Sequence, residues 1–187
     1  MKVEEVMSRE VKVCAPSETL NRAAQLMWEN DCGCIPVVEG DSKVVGVLTD
    51  RDICMAAYTR GATLHGLHAS SAMSRELFAC RPGDDLLKAQ QIMCEHRVRR
   101  LPVMDTRGKL VGILSLTDVA RAAAMTNSAS RKAKVADTLA AICAPHPREA
   151  APQSTELQEQ HQEGSREGGR RRGTRRSVPS TEGPPRR

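Results

Sequence analysis

Residues 35–52 read IPVVEGDSKVVGVLTDRD, and residues 101–118 read LPVMDTRGKLVGILSLTD. The second stretch repeats the first at an offset of 66 residues. Pro36-Val37 meets Pro102-Val103, Val45-Gly46 meets Val111-Gly112, and Asp52 meets Asp118. Followed back towards the N-terminus without a gap, the offset matches Met7-Ser8-Arg9-Glu10 with Met73-Ser74-Arg75-Glu76. It also pairs Cys14 with Cys80, Leu20 with Leu86 and Met27 with Met93. From residue 6 to residue 53, 18 of 48 pairs are identical. Chance does not produce this, so one supersecondary unit is written twice.

Both copies read the same way. A short strand (Val11–Val13; Leu77–Ala79) is expected before a proline turn. Ser17 in one copy, and Gly83 with Asp84 in the other, are the expected helix starts. The helix follows from apolar residues at helical spacing: Leu20, Ala23, Ala24 and Met27, then Leu86, Ala89 and Met93. Strands Ile35–Val38 and Val44–Leu48 flank the turn Glu39-Gly40-Asp41-Ser42. Strands Leu101–Met104 and Leu110–Leu114 flank Asp105-Thr106-Arg107-Gly108. A second helix opens at Thr49 and at Ser115. The fold class is therefore α/β of the α+β type, with two tandem β-α-β-β-α repeats. The expected boundaries are 1–62 and 63–125, then 126–144 as a linker with one short helix carrying Val135, Leu139 and Ile142 on one side. A copy of about 60 residues is marginal alone, and packing two through their sheets buries a face of each.

The rest of the composition agrees. The chain has 187 residues, of which 40% are hydrophobic and only 2% aromatic, so the core must be aliphatic. So few rings argue against an aromatic platform for stacking single-stranded nucleic acid. The net charge of +5 is unevenly placed: residues 1–144 carry 19 basic and 17 acidic side chains, and residues 145–187 carry 9 and 6. The last segment, rich in Pro, Gly, Gln, Glu, Arg and Ser, is expected to be disordered. Its run Arg170-Arg171-Arg172 and Arg175-Arg176 could attach loosely to an anionic surface, but no nucleic-acid-binding motif accompanies it. Neither a nucleic acid nor a membrane is an expected partner. No secretion signal or apolar span is read, and seven cysteines without a signal point to reduced thiols in the cytoplasm.

Chemistry concentrates at the junction of the last strand and the second helix. It reads Gly46-Val-Leu-Thr49-Asp-Arg-Asp52, and again Gly112-Ile-Leu-Ser115-Leu-Thr-Asp118. One reading is a helix cap: Thr49 or Ser115 caps, and the acid three residues later returns a bond to the cap amide. The other is a nucleotide site. Free helix N-terminal amides suit a phosphate, and a carboxylate one turn in can accept ribose hydroxyls. Thr49 and Ser115 would then offer hydroxyls. Ile35, Pro36 and Val37, with Leu101, Pro102 and Val103, could wall a slot for a flat base. Around the junctions the copies differ: Asp50-Arg51 against Leu116-Thr117, and Cys32-Gly33-Cys34 against Val98-Arg99-Arg100. Arg51, Arg99 and Arg100 are candidate phosphate contacts or plain surface charges.

The duplicated unit, its IPVV and LPVM strands and its GVLTDRD and GILSLTD endings resemble the CBS domain (cystathionine β-synthase domain), over roughly residues 1–124. The resemblance implies a stand-alone pair, a Bateman module, with two pseudo-twofold-related clefts for adenosine-containing ligands such as AMP, ADP, ATP or S-adenosylmethionine. By that resemblance Asp52 and Asp118 are the ribose acids, and Thr49 and Ser115 the phosphate-side hydroxyls. It also implies a homodimer and a regulatory role exerted on a further protein partner, with no required cofactor. Catalysis is not expected. CBS pairs occur inside IMP dehydrogenase, but a (β/α)8 barrel of about 250 residues does not fit beside the repeats. Cys32-Gly33-Cys34, with Cys54, His65 or His68, is a candidate metal or redox site. It is too closely spaced for the usual zinc pair, and the remaining cysteines read as packing residues.

Overall fold

The computed structural model describes residues 1–144, and the expected disorder of residues 145–187 falls outside the described residues. Thr19 accepts the Arg22 amide on its hydroxyl at 3.2 Å and starts helix α1 (Leu20–Glu29). Strands β1 (Cys34–Glu39) and β2 (Lys43–Thr49) form an antiparallel pair, followed by helix α2 (Asp50–Arg60). The second copy repeats this with α3 (Leu86–His96), β3 (Arg100–Met104), β4 (Leu110–Ser115) and α4 (Leu116–Ala124). A last helix, α5 (Ala129–Cys143), packs on α3 and α4.

The expected strands Val11–Val13 and Leu77–Ala79 do not form. Each is reduced to one parallel bridge, Cys14 with Val37 and Cys80 with Val103. Cys14 donates to the Pro36 carbonyl at 3.3 Å and accepts from the Val38 amide at 2.9 Å. Pairing cannot run on, because Pro16 and Pro82 lie two residues later and bring no amide hydrogen. The first helices also start later than expected, after Thr19 and Asp85. Asp84 instead accepts the Arg81 amide at 2.8 Å and the Lys88 ammonium at 2.9 Å. The Lys88 bond and the Arg81 amide together hold its carboxyl below the usual range.

Each copy contributes its leading segment to the other copy's core. Val3 and Met7 are buried among Cys80, Met93, Leu101 and Leu114 of copy two. Their repeat equivalents Ala69 and Met73 pack with Cys14, Leu20, Ile35 and Leu48 of copy one. The bonds match one for one. The Val3 amide donates to Asp84 O at 3.0 Å, and the Ala69 amide to Glu18 O at 2.8 Å. Ser8 bridges to Ile113 of β4, as Ser74 does to Val47 of β2. This correspondence is the pseudo-twofold symmetry. Where β2 and β4 begin, the copies meet directly: the Leu110 amide donates to Ser42 O at 3.0 Å, and Lys109 pairs with Asp41 at 3.0 Å.

The exchange explains the glycine of each junction motif. A Cβ on Gly46 would lie 2.6 Å from the Met73 sulfur and 2.9 Å from Ser74 O; on Gly112 it would lie 2.7 Å from the Met7 sulfur and 3.0 Å from Ser8 O. The crossing segments run where side chains would otherwise stand. In α5 the buried residues are Thr138 and Ile142, with Val135 half-buried, whereas Leu139 is 49% exposed, against expectation. One position of slip turns Thr138 inward, where its hydroxyl accepts from the Gln90 amide at 3.3 Å. Among the described residues no helix is long and apolar enough to cross a membrane.

Candidate functional site

Both strand–helix junctions close as full capping boxes. Thr49 accepts the Asp52 amide on its hydroxyl at 3.2 Å, and Asp52 Oδ2 accepts the Thr49 amide at 2.9 Å and its hydroxyl at 2.7 Å. Ser115 and Asp118 repeat this at 3.1, 2.9 and 2.6 Å. The cap reading of the motif is therefore realised in both copies. It leaves a second function open, because the box uses Oδ2 alone. Oδ1 of each half-buried acid receives no bond from the described residues.

The helix amides are a different matter. In α2 the first amide, of Asp50, points at Gly33 O at 3.4 Å, the second, of Arg51, at Asp50 Oδ1 at 2.8 Å, and the third at Thr49. In α4 the Leu116 amide bonds Arg99 O at 2.9 Å and the Asp118 amide bonds Ser115. The free amide cradle expected for a phosphate is thus already filled in copy one. Any charge recognition there must come from side chains.

The expected slot residues lie deeper than the junctions. Ile35, Val37, Leu101 and Val103 are fully buried in the two cores, and Pro36 and Pro102 are buried between them. Their side chains are core, and their backbones fix the caps: Cys34 pairs with Thr49 and Arg100 with Ser115 across the hairpins. Arg51 and Arg99 are exposed.

Arg100 behaves differently. It is half-buried, whereas the other eleven arginines among residues 1–144 are exposed. Its backbone belongs to the copy-two junction, but its guanidinium reaches into copy one. There it lies 3.7 Å from the place a Gly33 Cβ would take, a point 2.9 Å from Asp50 Oδ2. Around Cys34 the charges of Arg100, Asp52 and Asp50 converge. Burial pushes the Cys34 thiol up to about 11, although Arg100 pulls the other way. Residue patterns alone did not show this crossing, because it depends on how the copies pair.

Two depressions lie on the helix faces, and the copy-one depression borders the junction through Gly33 and Asp50. A groove of about 520 Å³ between α1 and α2 is lined by Ala24, Trp28, Cys32, Ile53, Cys54 and Ala57. Its repeat equivalent between α3 and α4, at Gln90, Cys94, Val119 and Ala123, is overlain by α5. On the uncovered side Trp28 is 89% and Tyr58 80% exposed.

The cysteines do not gather ligands. Among the described residues no three His, Cys, Asp or Glu side chains could hold a metal. Cys14 and Cys80 are buried as expected, and burial raises their thiols to about 11 and about 12. Cys143, expected to be a packing residue, is exposed at a helix surface, and so is the candidate ligand Cys54.

Known proteins share this arrangement. A family model described as CBS domain matches twice, over residues 3–58 and 69–125. The CBS domain-containing protein YhcV of Bacillus subtilis is 39% identical over 118 residues, 63% of this chain and 82% of that one. Among solved structures, Hypoxic Response Protein I with two coordinated zinc ions is 31% identical with a TM-score of 0.60, over 65% of this chain and 98% of that one. CBSX2 in complex with AMP is 29% identical with a TM-score of 0.59, over 66% of this chain and 96% of that one.

Proposed function

The chain belongs to the CBS-domain family, and from that premise we propose that it is a regulatory module binding an adenosine-containing nucleotide between its two copies. The observation that carries the reading is the pair of matched junctions. Each holds a half-buried carboxylate with Oδ2 locked in a capping box and Oδ1 uncommitted. A carboxylate fixed in this way is pre-oriented to accept a ribose hydroxyl without losing rotamer freedom on binding. Thr49 and Ser115 flank it, and Ile35, Pro36, Val37, Leu101, Pro102 and Val103 supply the rigid backbone behind it. CBSX2, related at 29% identity, is seen in complex with AMP, which supports an adenosine ligand here.

The role is binding, not catalysis. A ligand shifts a conformational equilibrium only by its differential affinity for the two states, so the proposed role requires a second conformation or a partner. The open α1–α2 groove, lined by the exposed Trp28, is the surface we assign to a homodimer; α5 overlies the matching groove of copy two, which keeps a cavity of about 950 Å³. Trp and Tyr are enriched at such interfaces. Sedimentation of the wild type and of Trp28→Asp tests this: a dimer that dissociates in the variant supports it, and an unchanged species refutes it. Seven free thiols accord with a reducing, cytoplasmic setting.

A thermal-shift panel with AMP, ADP, ATP, GTP, NAD and S-adenosylmethionine tests the ligand class. At about 100 times its dissociation constant a ligand stabilises the fold by roughly 2.7 kcal/mol. An adenosine compound should do this and GTP should not. A panel with no shift contradicts the proposal.

A further inference from the structure

We infer that the cavity between α3, α4 and α5 is a ligand site of its own, taking a compact, neutral, apolar molecule that carries one N–H or O–H donor. Neither Ser115 nor Asp118 lines it, so it stands independently of the nucleotide reading.

The cavity holds about 950 Å³, within the range of about 300–1,000 Å³ usual for small-molecule pockets. Leu86, Val119, Ala122, Ala123 and Val135 give it an apolar wall. The charged residues that line it, Asp85 and Asp137 with Lys88, Arg131 and Lys134, are exposed and of both signs. Lys88 is already bonded to Asp84, and Asp85 to Lys2. No single charge therefore selects an ion, and a neutral molecule fits better.

One polar group breaks the apolar wall. Gln90 is only 3% exposed, and its Nε2 donates to Thr138 Oγ1 at 3.3 Å. Thr138 gives its single proton to Lys134 O at 2.8 Å, so its oxygen can only accept from Gln90. That fixes which way round the Gln90 amide stands and leaves Oε1 as the end without a bond from the described residues. Among those residues no fully enclosed side-chain oxygen or nitrogen lacks a partner, so Oε1 is open to the space that Gln90 lines. An amide oxygen in an apolar wall costs free energy until a donor meets it. A molecule with an apolar body and one donor satisfies both the wall and the oxygen.

The repeat does not build this site twice. The equivalents of Gln90 and Cys94 are Ala24 and Trp28. Copy one thus has no acceptor at this place, and it carries a large ring where copy two has a small thiol. The covering helix α5 likewise follows copy two alone.

Methyl NMR of the full chain, titrated with indole and with indene, tests the inference. The two share a fused bicyclic shape, and only indole has an N–H. Indole should shift the methyl signals of Val119, Ala122, Ala123 and Val135. It should bind at least about fivefold more tightly than indene, the worth of one net hydrogen bond. Gln90→Leu, which keeps similar volume and removes the acceptor, should bring the two affinities within about twofold. Ala123→Leu, which fills the cavity, should abolish binding of both. Signals unmoved by indole, as for a cavity that takes only water, overturn the inference. So do shifts confined to Ala24 and Ile53 of the copy-one groove, equal affinities in the wild type, or a preference that survives Gln90→Leu. If circular dichroism shows that Gln90→Leu does not fold, the wild-type titrations and Ala123→Leu decide the question.

Discussion

Val3→Ala tests how the two copies hold each other. Val3 lies near the chain start, yet it is fully buried in the core of copy two, beside residues some 80 to 110 positions away. The substitution removes two methyl groups from a closed environment. The transfer loss is about 1.6 kcal/mol at 0.8 kcal/mol per group, and incomplete collapse of the cavity brings the cost to roughly 2–3 kcal/mol. For an ordered body of 144 residues this lowers Tm by roughly 6–9 °C. Urea unfolding followed by far-ultraviolet circular dichroism measures it. The transition should remain single, because each copy completes the other's core and neither can unfold alone. A loss below about 0.5 kcal/mol, the level of an ordinary surface change, would refute the exchange of leading segments. So would two separate transitions.

Gly46→Ala should destabilise by about 1–3 kcal/mol, because its Cβ would press on Met73 and on the Ser74 backbone; denaturant midpoints check it. Asp52→Ala should cost about 1–2 kcal/mol by opening the capping box, whereas Asp52→Asn, still an acceptor for the Thr49 amide, should cost about 0.5 kcal/mol or less. Equal losses in those two variants would contradict the cap geometry. Burial raises the thiols of Cys14, Cys34 and Cys80 to about 11, 11 and 12 from the ordinary 9.0. The unfolded chain therefore gives up these protons first as pH rises. Their contribution to stability is complete below pH 9 and is lost as pH climbs through 11–12. Urea midpoints between pH 8 and 10.5 should fall less steeply in Cys14→Ala/Cys80→Ala than in the wild type.

The repeat made most of this fold legible. The offset of 66 residues placed both hairpins within a residue or two, and the spacing from Thr49 to Asp52 placed both caps. These features are local, set by hydrogen bonds within a few residues and by apolar periodicity. The misses are all tertiary. Val11–Val13 has the composition of a strand, but the neighbouring proline limits its pairing to one bridge. Leu139 is apolar, yet the seam with α3 selects Thr138, because Gln90 waits there with a donor. Ile35 and Val37 are buried with Leu20, Met27 and Leu48, so at a slot for a base they would present backbone and not side chain. The reach of Arg100 into copy one depends on the docking of the copies, which no pattern within one copy can encode.

Calorimetric titration of AMP into the wild type and into Asp52→Asn/Asp118→Asn tests the central claim most directly. Asn keeps the acceptor that each cap needs, so the double variant should melt within a few degrees of the wild type. Its carboxylates are gone, so heat of AMP binding should be measurable in the wild type and absent in the variant. Unchanged binding in the variant would mean that these junctions do not hold the ribose, and the account of the site would be wrong.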